Sequence, residues 1–186
     1  MALSWGPLVG IAQLAIGRRE GILRFRSTPG AFLTSLAPWI LFPLAAAALG
    51  KVNEPLLFVA AVLVGQLTPP VLTHALAVRW GRGEAWLRYA TAYNWCQWAV
   101  SIVFLGLLLL MAVATGSQEP AMQQVGLLML VVVGFYGWIS WVVARSGLGI
   151  GPGRAALLVV VVNVATFMLL LIPQWIGAVV AGVPPS

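Results

Sequence analysis

Polar and aromatic side chains are concentrated in one stretch of an otherwise apolar chain, Arg88–Trp98 (RYATAYNWCQW). Within this stretch Tyr89, Tyr93 and Gln97 recur every four residues, so a helix would place them on one face, with Asn94 on the adjacent face. All four side chains form hydrogen bonds and none is charged at neutral pH. The chemistry that they indicate is recognition or packing through hydrogen bonds.

The composition is that of a membrane protein. Of the 186 residues 61% are hydrophobic and only 8% are charged, whereas a soluble domain normally has about a quarter of charged residues. Ten Lys and Arg against four acidic residues give a net charge of +6. Most of these basic residues flank hydrophobic runs, which the positive-inside rule explains better than binding to nucleic acid does. The single cysteine, Cys96, has no partner in the chain for a disulfide.

Five hydrophobic runs predict an all-α membrane protein, a bundle of five transmembrane helices that forms one domain over residues 29–186. Thr28 and Pro29 favour the start of the first helix. Pro69 and Pro70 predict a kink in the second helix, where the regular hydrogen-bond ladder is broken. The kink is expected to face protein, because the freed carbonyls need partners inside a membrane. The expected spans are about 31–49, 56–78, 89–114, 122–144 and 155–176.

Residues 1–28 precede the first span and are predicted to form an amphipathic helix in the cytoplasmic interface. Leu8, Ile11 and Leu14 recur at helical spacing, and the positive charges follow the apolar run, which is the reverse of a secretory signal. A partly ordered tail is the alternative. The arginines expected beside lipid headgroups are those of this segment and of the loop between the last two spans: Arg18, Arg19, Arg24, Arg26, Arg145 and Arg154.

The distribution of basic residues predicts the orientation. With the N-terminus in the cytoplasm, nine arginines lie inside and only Lys51 lies outside. The positive-inside rule therefore predicts a cytoplasmic N-terminus, a periplasmic C-terminus and a multi-pass protein of the bacterial inner membrane.

Polar residues of several spans fall at comparable depths in the cytoplasmic half, as estimated from a rise of about 1.5 Å per helical residue. Two interpretations remain open for this polar slab. Its members either form interhelical hydrogen bonds that fix the packing or line a pocket for a ligand. The slab comprises Gln66, Tyr93, Asn94, Gln97, Tyr136, Ser140 and Asn163.

His74 is the only histidine and lies near the cytoplasmic end of the second span. It is a candidate axial ligand for a haem or a chlorophyll-type pigment, or a proton carrier, although a lone histidine more often forms an ordinary hydrogen bond. The acidic residues all fall in loops or flanks, so no carboxylate remains in the membrane for a proton relay or a metal site. We therefore predict no catalytic residue, no metal site and no required cofactor.

Three features of the chain resemble the layout of a known group of membrane proteins. An arginine-bearing segment runs into Arg26–Phe32, Tyr93-Asn94-Trp95 opens the third span, and Val143–Gly151 connects the last two. This layout resembles a family of uncharacterised five-span inner-membrane proteins of alphaproteobacteria, which are similar to the Yip-type five-span proteins. The resemblance implies a link to membrane trafficking and shaping, and it implies no catalytic residue.

These observations predict a non-enzymatic inner-membrane protein, acting as a scaffold, an accessory subunit of a membrane complex or a membrane-organising protein. Its expected partners are membrane lipids and other membrane-protein subunits, and no nucleic acid. A small-molecule or lipid carrier is the alternative, and a cofactor-binding or pigment-binding subunit that uses His74 is a second one.

Overall fold

The computed structural model of the chain describes residues 5–50, 55–115 and 122–180. These ranges contain helices and no strand, which confirms the all-α prediction. Residues 51–54, between the first two predicted spans, and 116–121, between the third and the fourth, lie outside the described residues. The α-helices are α1 (Gly6–Ala15), α2 (Pro29–Ala48), α3 (Pro55–Arg79), α4 (Trp86–Thr115), α5 (Met122–Gly147) and α6 (Pro152–Val180), with 3-10 segments at Arg19–Arg24 and Gly83–Ala85.

Four of these helices are long and apolar enough to cross a membrane. The corresponding apolar segments are Phe58–Arg79, Gly83–Ala114, which includes the 3-10 segment before α4, Val125–Gly147 and Pro152–Leu171. The predicted span at 31–49 corresponds to α2. Its described apolar segment, Pro29–Ala45, is shorter than the four segments above and is not counted with them. The chain is therefore a multi-pass membrane protein.

The five long helices form a closed ring. Helix α2 packs against α3 and α4, α3 packs against α6, and α5 packs against both α4 and α6. The order around the ring is thus α2, α3, α6, α5, α4. Because the ring closes, the inner faces of all five helices meet along one central axis.

Small residues allow α4 and α5 to approach closely. Ser140, Ala144 and Gly147 recur on α5 at helical spacing, and Ser140 and Ala144 are buried. A Cβ atom added to Gly147 would lie 2.9 Å from Cβ and 3.0 Å from Cα of Tyr89 on α4. Stripes of small residues commonly set the spacing of membrane helices in this way.

The N-terminal segment packs onto the bundle as a short hairpin of α1 and the 3-10 segment. Gly10 and Gly21 oppose each other so closely that a Cβ atom on Gly21 would lie 2.7 Å from the carbonyl oxygen of Gly10. This close approach places Leu14, Ile22 and Phe25 in the hydrophobic core that the long helices also form. The alternative of a partly ordered tail is therefore wrong, and the segment also makes core contacts that the prediction of an interfacial helix did not include.

Helix α3 continues through Pro69 and Pro70 without interruption. Two helical hydrogen bonds are absent at this point, as predicted, because proline has no N–H. In an α-helix each carbonyl accepts a hydrogen bond from the N–H four residues later, so the carbonyls of Gly65 and Gln66 lack this donor.

Candidate functional site

A polar cavity lies inside the helix ring, with a volume of ≈ 170 Å³. Every long helix contributes to its wall. A cavity of this size holds several water molecules or a small solute, since one water needs only about 10–15 Å³ on the same measure. The lining residues are Trp39 of α2; Gly65, Gln66 and Pro69 of α3; Tyr93, Asn94, Gln97 and Ser101 of α4; Tyr136 of α5; and Asn163 and Thr166 of α6.

The cavity lies well inside the bundle, beyond the arginine-bearing ends of the helices. Asn94 follows Trp86, the first residue of α4, by eight residues, which corresponds to about 12 Å along the helix. Asn163 follows Pro152, the first residue of α6, by eleven residues, or about 16 Å. Both amides therefore occupy similar heights although they are far apart in sequence.

Three hydrogen bonds between helices surround the cavity. Tyr93 and Tyr136 join their hydroxyl groups at 2.8 Å, and Gln97 Nε2 donates to Ser140 Oγ at 3.0 Å. Both of these bonds connect α4 to α5. On the other side of α4, Asn94 Nδ2 donates to Ser35 Oγ of α2 at 2.9 Å. These bonds fix the rotation of α4, and with it the lining of the cavity.

Two of the four amide side chains in the lining make no bond between helices. Asn163 Nδ2 donates to the carbonyl oxygen of Val159, one turn earlier in its own helix, at 2.7 Å. The side chain of Gln66 borders the cavity without a hydrogen bond to any described residue. Helix packing therefore does not explain why these two polar side chains point into the bundle.

The structure brings most of the predicted polar slab together. Six of its seven members line the cavity, and the seventh, Ser140, lies behind Gln97 as its hydrogen-bond partner. The sequence analysis missed Ser35, Trp39, Ser101 and Thr166. Helical spacing could have identified two of them, because Ser101 follows Gln97 by four residues and Thr166 follows Asn163 by three.

The lining carries no charged residue among those described, and it offers amide, hydroxyl and phenol groups instead. Within the same described ranges, no three His, Cys, Asp or Glu residues lie close enough to hold a metal ion. The arrangement is suited to holding a small polar molecule by hydrogen bonds in surroundings that are otherwise apolar.

The arginines predicted at lipid headgroups lie outside the cavity. Arg145 is half-buried, and its guanidinium group lies 5.2 Å from the centre of the Trp141 ring. Trp141 in turn donates to the carbonyl oxygen of Pro152 at 3.1 Å, which connects the ends of α5 and α6. The other five are exposed: Arg18, Arg19, Arg24, Arg26 and Arg154. Their contact with headgroups stays a prediction.

His74 does not reach the cavity and faces an apolar groove on the outside of the ring. The groove has a volume of ≈ 440 Å³ and lies between α2 and α3. The imidazole contacts the ring of Trp86 edge-on, with the ring centres 4.8 Å apart. Its neighbour Thr73 points inward and accepts the indole N–H of Trp86 at 3.1 Å.

An absorption spectrum tests the cofactor role of His74. We expect the purified protein to absorb only in the ultraviolet, because the described groove lining has no charged side chain, and no polar one besides His74 and the indole of Trp86, to pair with the polar substituents of a haem or pigment. A visible haem or chlorophyll band that disappears in His74→Ala would instead establish the cofactor role. Thr68→Val, elsewhere on α3, is the matched variant and should leave any such band unchanged.

These features define a multi-pass α-helical membrane protein with a central polar cavity. Comparison of the chain with protein-family models, with curated proteins and with solved structures finds no match. The resemblance to the five-span family stays a prediction, and the functional argument depends on the cavity.

Proposed function

We propose that the protein is a non-enzymatic carrier that binds a small polar molecule in its central cavity. The observation that carries this proposal is the neutral, hydrogen-bonding lining to which all five long helices contribute. Polar groups inside a membrane are unfavourable unless they are satisfied, and they commonly mark the path of a substrate. Gln66 and Asn163 support binding over packing alone, because neither connects two helices.

The carrier would have five spans. Helix α2 contains 20 residues, which correspond to about 30 Å, the thickness of a hydrocarbon core. Its place in the ring, between α3 and α4, supports this count. The arginine-bearing ends would lie in the cytoplasm and the C-terminus in the periplasm of a bacterial inner membrane, with lipid headgroups beside the exposed arginines. This layout agrees with the family resemblance.

Uptake into proteoliposomes tests the carrier function. The probes are radiolabelled glycerol, glycine and methylammonium, which are neutral, zwitterionic and cationic and are all small enough for the cavity. We expect saturable uptake of at least one probe above that of empty liposomes. The Gln97→Leu variant should lose it, because leucine removes both the amide and the bond to Ser140.

Thr34→Val is the matched control, since Thr34 Oγ1 bonds only to the carbonyl oxygen of Gly30 in the same helix and lies outside the cavity. It should transport as the unmodified protein does. If the folded protein takes up none of the three probes, the carrier proposal is wrong.

A scaffold or accessory subunit is the second candidate, and the three hydrogen bonds between helices favour it, because such bonds often serve packing alone. Extraction in a gentle detergent would then yield a larger complex. A stable lone monomer in nanodiscs would count against this role.

A further inference from the structure

The hydrogen bonds around the cavity determine which atoms remain for a ligand. Ser35 already donates its hydroxyl proton to the carbonyl oxygen of Phe32 at 2.6 Å. Its oxygen can therefore only accept from Asn94, which fixes the amide nitrogen of Asn94 toward Ser35. Asn163 is fixed in the same way, because its partner, the carbonyl of Val159, is only an acceptor. In both residues the hydrogen-bond partner determines which end of the amide is the nitrogen and which is the oxygen.

Both amide oxygens are consequently turned away from their protein partners. No donor among the described residues reaches Oδ1 of Asn94 or Oδ1 of Asn163. Neither oxygen is one of the fully buried polar atoms that lack a hydrogen-bond partner. Since both residues line the cavity, these oxygens are available to accept hydrogen bonds from its contents.

The backbone of α3 adds one further acceptor. Pro69 has no N–H, so the carbonyl oxygen of Gly65 lacks its helical donor. Both Gly65 and Pro69 line the cavity, whereas Pro70, toward which the carbonyl of Gln66 is directed, lines the outer groove. Thr166 contributes another acceptor, because its hydroxyl proton is directed to the carbonyl oxygen of Val162 at 2.8 Å.

Acceptors therefore exceed donors at this site. Each carbonyl-type oxygen has two lone pairs, whereas the amide nitrogens of Asn94, Gln97 and Asn163 already donate once and retain a single N–H each. Gln66 retains both of its N–H groups, but its amide oxygen also keeps two lone pairs. A ligand that complements such a lining has more donors than acceptors. Counted in the same way, each hydroxyl of glycerol has one donor and two lone pairs, and a carboxylate has acceptors only, so neither is complementary. Ammonium and primary alkylammonium ions have donors alone, together with a positive charge that amide and carbonyl dipoles stabilise.

We infer that the cavity binds a small N–H-donating cation, ammonium or a primary alkylammonium ion. The inference rests on the proposed carrier function and names its substrate class. Tyr93, Tyr136 and Trp39 belong to the same lining, and cations are also attracted to aromatic rings. The bound ion would lie in front of Asn94, Asn163 and the freed carbonyl of Gly65 on α3.

Thermal unfolding of the full chain in lipid nanodiscs tests the inference, with tryptophan fluorescence as the signal. Ammonium chloride and methylammonium chloride should raise the unfolding midpoint in a saturable way. Potassium chloride and tetramethylammonium chloride at the same ionic strength should not, because both are monovalent cations without an N–H donor. A shift of equal size with either control salt would overturn the inference.

Asn163→Leu removes one fixed acceptor without breaking a bond between helices. Its apparent affinity for methylammonium should fall about ten- to hundredfold, as expected for the loss of one hydrogen bond to a charged group. Thr68→Val is the matched control, because Thr68 also bonds only within its helix, to Val64 at 2.6 Å, and lies on the outer side of α3. It should retain the affinity of the unmodified protein.

Thr166→Val serves as a second variant if Asn163→Leu does not fold, and it should also weaken binding. Unchanged affinity in the folded variants would overturn the inference.

The experiments distinguish failure of the proposed carrier function from failure of the inferred cation binding. Uptake of glycerol or glycine without stabilisation by ammonium leaves the carrier function standing and removes the inference. Stabilisation by ammonium without uptake of any probe removes the carrier function and leaves the binding site.

Discussion

Replacing Gly147 with alanine is expected to lower the free energy of unfolding by about 1–3 kcal/mol, the usual range for an overfilled contact. The new methyl group would lie 2.9 Å from Cβ and 3.0 Å from Cα of Tyr89. These atoms belong to the backbone of α4 or adjoin it directly, so no side-chain rotation relieves the clash. The helices α4 and α5 must separate instead.

This separation is expected to reach the cavity. The bonds between Tyr93 and Tyr136 and between Gln97 and Ser140 connect the same two helices, one to three turns farther along. Uptake or binding should therefore weaken together with stability. Equilibrium unfolding by titration with a denaturing detergent, followed by tryptophan fluorescence, measures the loss of stability.

Gly134→Ala on the same helix is the matched control. A Cβ atom there meets nothing within 4 Å, so the substitution should be neutral or should stabilise the helix by up to about 1 kcal/mol. Equal stabilities of the two variants would show that close packing at Gly147 does not hold α4 and α5 together.

The sequence predicts the long helices and much of the cavity for one physical reason. A membrane requires long apolar helices and turns their polar side chains inward, so depth alone placed Asn94, Gln97 and Asn163 near one another. Depth does not specify rotation, however. On α3, which is apolar on most sides, the sequence does not show that Thr73 is buried while the adjacent His74 faces outward.

The close backbone contacts were not predictable in the same way. A glycine carries no side chain whose periodicity could reveal a partner, and Gly10 and Gly21 lie in segments without an evident pairing signal. Gly149, with φ at +60°, lies in the turn between α5 and α6, where glycine adopts this conformation without steric cost. Gly147, two residues earlier, belongs to the helix contact, and its role depends on which residue of α4 lies opposite.

Replacing Gly21 with alanine is expected to open the N-terminal hairpin. The added methyl group would lie 2.7 Å from the carbonyl oxygen of Gly10 and 2.9 Å from Cβ of Gln13. The φ angle at Gly21 is not positive, so the effect is a clash between two segments and not backbone strain. Moving α1 away would expose Leu14 and break the bond from Trp138 Nε1 to the carbonyl oxygen of Ala15.

Limited proteolysis with trypsin measures this opening. If the clash destabilises the hairpin by about 1–3 kcal/mol, cleavage after Arg18 and Arg24 should accelerate roughly ten- to hundredfold, because the rate follows the opened population. Gly30→Ala at the start of α2 is the control, since a Cβ atom there meets nothing within 4 Å. Cleavage of both variants at the same rate would contradict the hairpin contact.

The two glycine contacts are also expected to depend on each other. Ile22 of the hairpin reaches the α4–α5 contact, with its Cδ1 3.3 Å from the position that a Cβ atom on Gly147 would take. Once the hairpin has opened, Ile22 no longer restrains that contact, and α4 and α5 can adjust to the methyl group at lower cost. The double variant Gly21→Ala/Gly147→Ala should therefore lose less stability than the sum of the single variants, whereas strict additivity would mean that the hairpin and the α4–α5 contact are independent.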